Sequence, residues 1–260
     1  MKTIIVPVDF SDNSKSAASY AVKLFTGHEG IEIILYHTYS KSSEAEDANR
    51  QLEEWKTELS HNRQIRINTL AEGGDFLEEL EKLARHRIAD LIVMGITGRS
   101  ALAQVFVGSN ALKMAENKFC PVMIIPKNAE FREIKHVMLT SDFKNVVSTT
   151  PTVPIKKILD IFNADLYVVN VNTDLYIALS EENEAEKQKL KEMFAEYNPE
   201  FYFMRLFDIQ EAIRLFAEDR HIDLIINVKK EKSLVHRLFQ ESQTKKLATE
   251  SHIPVMIVHE

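Results

Sequence analysis

The sequence of 260 residues contains a single cysteine, Cys120, and none of its seven glycines follows Gly108. One cysteine excludes an internal disulfide, and its place beside Pro121 before an apolar strand predicts a buried structural thiol. Beyond Gly108 the chain has no glycine, the residue that enters left-handed backbone conformations at the lowest cost. The absences predict a cytoplasmic protein whose two halves differ in their loops.

Long apolar runs and an excess of positive charge are also missing. No run approaches the roughly 20 residues of a membrane-spanning helix, and the first residues lead into a strand rather than a signal peptide. Residues 1–130 carry 15 basic against 18 acidic side chains, and residues 131–260 carry 17 against 21. Neither membrane insertion nor nucleic-acid binding is therefore expected. The nine histidines show no metal-ligand spacing, so no metal site is predicted.

The second half of the chain repeats the first at an offset of 133 residues. The matching pairs include Lys2 and Lys135, Asp9 and Asp142, Phe10 and Phe143, Asp90 and Asp223, and Pro121 and Pro254. An unbroken register of this length predicts two tandem domains of one fold. We place them at residues 1–127 and 132–260, on either side of a short polar connector.

Each half alternates apolar strands with amphipathic helices. Strands are predicted at residues 3–8, 32–38, 64–70, 90–94 and 122–125, and again at 137–141, 165–171, 200–206, 223–228 and 254–258. Helices are predicted at residues 14–25, 47–60, 75–86 and 110–117, with a polar surface helix at 180–196. Strands that are apolar throughout are covered on both faces, as in parallel sheets. The pattern predicts an α/β fold of two doubly wound, five-stranded parallel sheets with helices on both faces.

A glycine-containing loop in the first half has the composition of a phosphate-binding site. Gly95, Gly98 and Gly108 follow the apolar strand at residues 90–94, and a helix begins just after Ser109. Glycines let the backbone approach an anion, and the first N–H groups of a helix point toward it. Asp9 and Thr38 also stand at strand ends. If the first and fourth strands are neighbours, all these residues converge on one crevice.

Each of these residues also has a structural interpretation. Asp9 or Ser11 would cap the following helix, and Ser109 and Asn110 are also good caps. The glycines would also serve turns and close packing without any ligand.

The second half has lost the glycines of the loop. At the same offset Gly95 becomes Val228, Gly98 becomes Glu231 and Gly108 becomes Glu241. Carboxylates at these positions would repel phosphates and fill their space. Lysines at positions 229, 230 and 232 would offset these acidic residues. Two alternatives therefore stay open, namely that this segment binds an unrelated anionic ligand or that it is a solvated loop. Nucleotide binding is expected in the first half alone.

The sequence resembles the universal stress protein family. The spacing Gly-x2-Gly-x9-Gly-Ser/Thr of its nucleotide-binding members matches Gly95, Gly98, Gly108 and Ser109, and residues 7–9 and 120–125 are similar to its first and last strands. The general resemblance covers both halves of the chain, whereas the glycine motif is found only in the first half. It implies flavodoxin-like or Rossmann-like α/β sandwiches that bind ATP, usually with Mg²⁺ or Mn²⁺, and that dimerise through the last strand.

The resemblance also implies roles for individual residues. Asp9 would accept hydrogen bonds from the ribose or adenine, Pro7 and Val8 would form a wall, and the backbone at Thr38 would meet the adenine. The remaining contacts would come from Met94 and Gly95 under the nucleoside, Thr97 and Gly98 near the phosphates, Arg99 at a terminal phosphate, and Gly108, Ser109 and Asn110 at the helix start.

The expected function is that of an ATP-binding sensor or switch in a stress response, read by an unknown signalling protein. We find no Walker lysine and no Ser/His/Asp arrangement, so no catalytic residue is assigned and at most slow ATP hydrolysis is expected. The second domain would pair with the first through residues 122–125 and 255–258, or two copies of the chain would pair. Two alternatives stay open, namely a nucleotide-independent protein that binds a lipid or small molecule, and an enzyme similar to the adenine-nucleotide α-hydrolases.

Overall fold

The computed structural model describes residues 1–96, 109–172, 181–205, 209–230 and 252–260. The chain divides into two compact units, Met1–Phe131 and Arg132–Glu260. Each unit is an α/β sandwich around a five-stranded parallel sheet.

The N-terminal unit alternates strands and helices along the chain. Its elements are β1 (Thr3–Pro7), α1 (Asp12–Phe25), β2 (Glu32–Tyr39), α2 (Ala45–Ser60), β3 (Arg66–Gly73), α3 (Phe76–His86), β4 (Leu91–Gly95), α4 (Ser109–Met114) and β5 (Val122–Ile125). The strands lie in the order β3-β2-β1-β4-β5, and every neighbouring pair is parallel. This is the Rossmann order, in which the chain first builds outward from β1 and then crosses to its other side.

Local sequence explains the limits of these elements. Every residue of β1 is buried, as expected for a strand covered on both faces. Helix α1 begins at a cap where the Ser11 hydroxyl accepts the Ser14 N–H, and Asp75 accepts two N–H groups at the start of α3. Helix α1 contacts α2, and α3 contacts α4, which is the pairing that right-handed crossovers produce on the two sheet faces. Cys120 is buried and its thiol lies 3.3 Å from the Ala89 carbonyl, which confirms its structural setting.

The C-terminal unit has the same strand order. Its elements are β6 (His136–Thr140), α5 (Val146–Thr149), α6 (Thr152–Phe162), β7 (Asp165–Asn172), α7 (Glu181–Met193), β8 (Glu200–Arg205), α8 (Ile209–Asp219), β9 (Leu224–Lys229) and β10 (Val255–His259). The strands run β8-β7-β6-β9-β10, again all parallel. Predicted and observed strand ends agree to within about three residues, a normal margin for such boundaries.

Individual hydrogen bonds recur at the offset of 133 residues. The Asp90 carboxylate accepts the N–H of Lys2 at 2.6 Å, and the Asp223 carboxylate accepts the N–H of Lys135 at 2.9 Å. Phe10 and Phe143 both have a positive φ, of 61° and 51°. The internal repeat is thus present in the contacts as well as in the sequence.

The two units differ at the helix that follows their first strand. Helix α1 is continuous over 14 residues, whereas its counterpart is divided into α5, of four residues, and α6. The division falls at Pro151, which cannot donate a backbone hydrogen bond and disfavours a helical conformation at Thr150. The sequence pattern had predicted the same layout in both halves, so this break is a correction to it.

Candidate functional site

The carboxyl ends of β1, β2 and β4 form one edge of the N-terminal sheet. Strand β1 lies between the other two, with Ile5 paired to both Ile34 and Ile92. The strand order therefore reverses at β1 and β4, where open α/β sheets bind their ligands. The first and fourth strands are therefore neighbours, which is the condition for the candidate residues to converge. This adjacency brings to this edge the described members of the predicted site, namely Pro7, Val8, Asp9, Thr38, Met94 and Gly95.

The rest of the predicted site follows β4 in the sequence. Thr97, Gly98, Arg99 and Gly108 lie outside the described residues. Ser109 and Asn110 belong to α4, and Asn110 is exposed.

Asp9 lies in a hydrogen-bonded turn at the carboxyl end of β1. Its Oδ1 accepts the Ser11 N–H at 3.1 Å and the Ser11 hydroxyl at 2.5 Å, while its own N–H donates to Ser14 Oγ at 3.3 Å. Ser11, rather than Asp9, is the residue that caps α1. Asp9 is partly exposed and braces the turn before the helix, so its carboxylate is held at the edge of the sheet.

A histidine that sequence reasoning did not single out lies beside this turn. The Nδ1 atom of His37, on β2, is 2.7 Å from the Val8 carbonyl oxygen. The His37 ring lies 4.4 Å from the ring of Phe10, which meets Trp55 of α2 edge-on at 5.4 Å. The position of His37 at the end of an apolar strand was the available signal. A contact between a side chain and a backbone carbonyl has no spacing pattern that would reveal it.

Gly95 ends β4 where α1 passes very close. A Cβ atom added to Gly95 would lie 2.9 Å from the backbone oxygen of Asn13 and 3.6 Å from the Cβ of Ala17. The backbone of Gly95 is not left-handed. Glycine is therefore required here because a side chain would not fit. The close-packing interpretation therefore applies to Gly95, whatever else this residue contributes.

The corresponding edge of the C-terminal unit is filled by its own side chains. Lys230, which stands in the place of Thr97, puts its ammonium 2.6 Å from Asp142 Oδ1 and 2.7 Å from the Lys144 carbonyl oxygen. The side chains of Lys230 and Asp142 are only 13% and 21% exposed. Asp142 is the counterpart of Asp9. The lysine is thus engaged within the unit, and it is not positioned as a free cation for an anionic ligand.

A glutamate carboxylate accepts a hydrogen bond from the first N–H group of the helix that begins beside this ion pair. Glu186 of α7 accepts the N–H of Val146, the first residue of α5, at 2.7 Å, and it pairs with Lys189 at 2.6 Å. The hydrogen bond from Lys189 and then that from Val146 hold the pKa of Glu186 below its ordinary value of 4.5. The C-terminal crevice therefore supplies its own cation and its own anion.

The lowered pKa of Glu186 predicts a pH-dependent contribution to stability. The unfolded state binds a proton more readily than the folded state, so the contribution is full above pH 4.5 and is lost as the pH falls through the folded pKa. We expect Glu186→Gln to lower the free energy of unfolding by about 1 kcal/mol at pH 7 and by less at pH 4. Urea titrations followed by circular dichroism measure both differences. Glu184→Gln, which breaks the exposed pair with Lys187 on the same helix, is the control. An equal loss from both variants, or a loss that grows on acidification, would contradict the assignment.

Within the described residues, no three His, Cys, Asp or Glu side chains are grouped as ligands for a metal ion. None of the helices described is both long and apolar enough to cross a bilayer.

Comparison with known proteins connects both halves to one family. The profile of the Universal stress protein family matches residues 1–126 and 160–259. A universal stress protein of Methanocaldococcus jannaschii is 30% identical in an alignment 148 residues long that covers 48% of this chain and 82% of that protein. A universal stress protein of Thermus aquaticus is 30% identical in an alignment 135 residues long that covers 48% of this chain and 98% of that protein.

A solved structure shares the fold over both units. The universal stress protein of Archaeoglobus fulgidus superposes with a TM-score of 0.68 at 17% identity, covering 99% of this chain and 96% of its own. Since the family profile matches most of the chain, in both of its compact units, the chain belongs to the universal stress protein family.

Proposed function

We propose that the N-terminal unit binds ATP at the carboxyl edge of its sheet and that the protein acts as a nucleotide-dependent sensor or switch in a stress response. The observation that carries the proposal is the adjacency of β1 and β4, which puts Asp9 and Gly95 at one crevice. Membership of the family and the complete spacing of the motif from Gly95 to Ser109 support it.

The proposed contacts follow the strand ends and the loop. Asp9 accepts hydrogen bonds from the ribose or adenine, Pro7 and Val8 line the wall, and the Thr38 backbone meets the adenine. The nucleoside lies over Met94 and Gly95. The phosphates are met by the loop and the start of α4, that is by Thr97, Gly98, Arg99, Gly108, Ser109 and Asn110. Mg²⁺ or Mn²⁺ would arrive bound to the triphosphate.

We propose that the C-terminal unit binds no ATP. The ammonium of Lys230 pairs with Asp142, the equivalent of the carboxylate that would meet the sugar in the N-terminal unit. Val228 stands where the N-terminal unit has Gly95. The unit would serve instead as a surface for a partner. On the sequence alone, we also propose that residues 122–125 and 255–258 pair, within one chain or between two copies.

Titration calorimetry of the full chain with ATP, with and without Mg²⁺, tests the site. We expect one site per chain and about a tenfold loss of affinity in Asp9→Asn, because a neutral amide accepts hydrogen bonds more weakly than a carboxylate. The amide oxygen still accepts from Ser11, so the turn is retained. Asp142→Asn makes the same change in the other unit and should leave the affinity unchanged. Equal losses in the two variants would contradict an N-terminal site.

A second variant tests the loop. Gly98→Glu introduces the residue that the second half carries as Glu231, and it should abolish ATP binding by repelling the phosphates. If the chain, shown free of nucleotide, binds no ATP, the proposal fails and a lipid or small-molecule ligand becomes the better hypothesis. Sustained ATP turnover with an acceptor, lost in Gly98→Glu, would favour an enzyme over a switch.

A further inference from the structure

His37 lies between the two residues that the proposed function assigns to the nucleoside. It directly precedes Thr38 on β2, and its Nδ1 contacts the carbonyl of Val8, the residue before Asp9. A carbonyl oxygen only accepts hydrogen bonds, so Nδ1 of His37 must carry a hydrogen. In the neutral imidazole the other nitrogen, Nε2, is then a bare acceptor. Among the described residues, no hydrogen-bond partner meets Nε2, and the ring is only half-buried.

The orientation of this ring is held from several sides. Phe10 packs on the imidazole, and Trp55 packs edge-on against Phe10. Phe10 itself has a left-handed backbone, with φ of 61°, which places its ring over His37. A ring fixed by a backbone hydrogen bond and an aromatic contact presents its free nitrogen in one direction, as specific recognition requires.

The C-terminal unit shows that the backbone hydrogen bond does not need an imidazole. Asn170 occupies the position of His37, and its Nδ2 donates to the Ser141 carbonyl at 2.8 Å. Phe143, near this site, again has a positive φ. An amide thus performs the structural part of the role. The imidazole adds a second ring nitrogen, and it occurs in the unit that has the glycine motif.

We propose that Nε2 of His37 accepts a hydrogen bond from the 6-amino group of the bound purine and so selects a 6-aminopurine against a 6-oxopurine. The inference rests on the proposed function. A 6-oxo group would turn its own lone pair toward that of Nε2. A site built to accept a hydrogen bond rejects such an analogue, because two acceptors are left without a donor.

Calorimetry with ATP and with ITP on the full chain at pH 7.5 tests this inference. ITP differs from ATP in carrying a 6-oxo group and a hydrogen on N1, and its triphosphate is the same. We expect the wild-type ratio of the two affinities to favour ATP by about tenfold, the equivalent of one hydrogen bond. In His37→Asn, which reproduces the Asn170 geometry, the ratio should be several-fold smaller.

Each other outcome overturns a defined part of the argument. A His37→Asn variant that keeps the wild-type ratio refutes the role of Nε2. Wild-type protein that binds ATP and ITP equally refutes this inference and leaves the proposed function intact. If neither nucleotide binds, both fail. Circular dichroism and the fluorescence of Trp55 verify that the variant is folded, because a purely structural role for His37 would lower both affinities without changing their ratio.

Discussion

Gly95→Val should destabilise the N-terminal unit by about 3 kcal/mol and abolish its binding of ATP. A Cβ at this position would lie 2.9 Å from a backbone oxygen of α1, so the helix must move rather than a side chain. The first turn of that helix carries Ser14, whose hydroxyl receives the N–H of Asp9. Displacing the helix therefore displaces Asp9 as well, and one substitution affects both stability and the proposed site.

The chain offers a probe and a control for this prediction. Its single tryptophan, Trp55, lies in α2 of the N-terminal unit, so its fluorescence in urea reports the unfolding of that unit. Gly27→Ala is the control, because Gly27 has a φ of 85° and nothing within 4 Å of an added Cβ. It should cost about 1 kcal/mol through backbone strain alone and leave ATP binding intact. Wild-type stability in Gly95→Val would show that the close approach to α1 imposes no constraint.

The fold was predictable because its signals are local. Apolar runs such as residues 4–6 and 91–93 identify buried strands, and Ser11 and Asp75 mark helix starts. The predicted ends of the strands were less accurate where backbone pairing, rather than the run of apolar side chains, determines where a strand ends. Strand β3 continues to Gly73 because its last residues still pair with β2, although they are only partly buried. A hydrophobic pattern cannot reveal an end that is determined by backbone hydrogen bonds.

The positions of the candidate residues were predictable only where a strand end determines them. Asp9, Thr38 and Gly95 stand at strand ends, and parallel strands bring those ends together. The engagement of Lys230 was missed because its partner Asp142 lies 88 residues away, and a lysine in a charged run is usually solvated. Pro151 was visible in the sequence, but the repeat had suggested that the second half would copy the continuous α1.

Together these differences distinguish the equivalent edges of the two sheets. In the N-terminal unit a glycine admits α1 close to the end of β4, and a turn holds Asp9 at the edge. In the C-terminal unit Val228 is buried at the equivalent strand end, and the helix is interrupted at Pro151. The aspartate has been retained, and its partner there is a lysine of the same unit. A carboxylate that we propose to bind a ligand in one domain is thus part of the structure in the other.

This structural role predicts that Lys230→Met destabilises the C-terminal unit by about 2–3 kcal/mol, because Asp142 loses its cation while it remains mostly buried. Urea unfolding followed by far-ultraviolet circular dichroism should show an earlier transition, while the Trp55 fluorescence transition of the other unit stays in place. Lys135→Met removes the cation of an exposed pair with Glu133 in the same unit and should cost no more than about 0.5 kcal/mol.

The double variant Lys230→Met with Asp142→Asn separates the interaction energy of the two side chains from the cost of burying an unpaired carboxylate. Once the carboxylate is neutral, the loss of the lysine should cost about 1–2 kcal/mol less than it does in the wild type. Strictly additive effects would mean that the two side chains do not interact in solution. ATP binding adds a second criterion, because neither variant should gain a second nucleotide site while Val228 and Glu231 remain. A second site in Lys230→Met would instead show that the lysine alone closes the crevice, and that the lost glycines matter less than the ion pair that replaced the ligand.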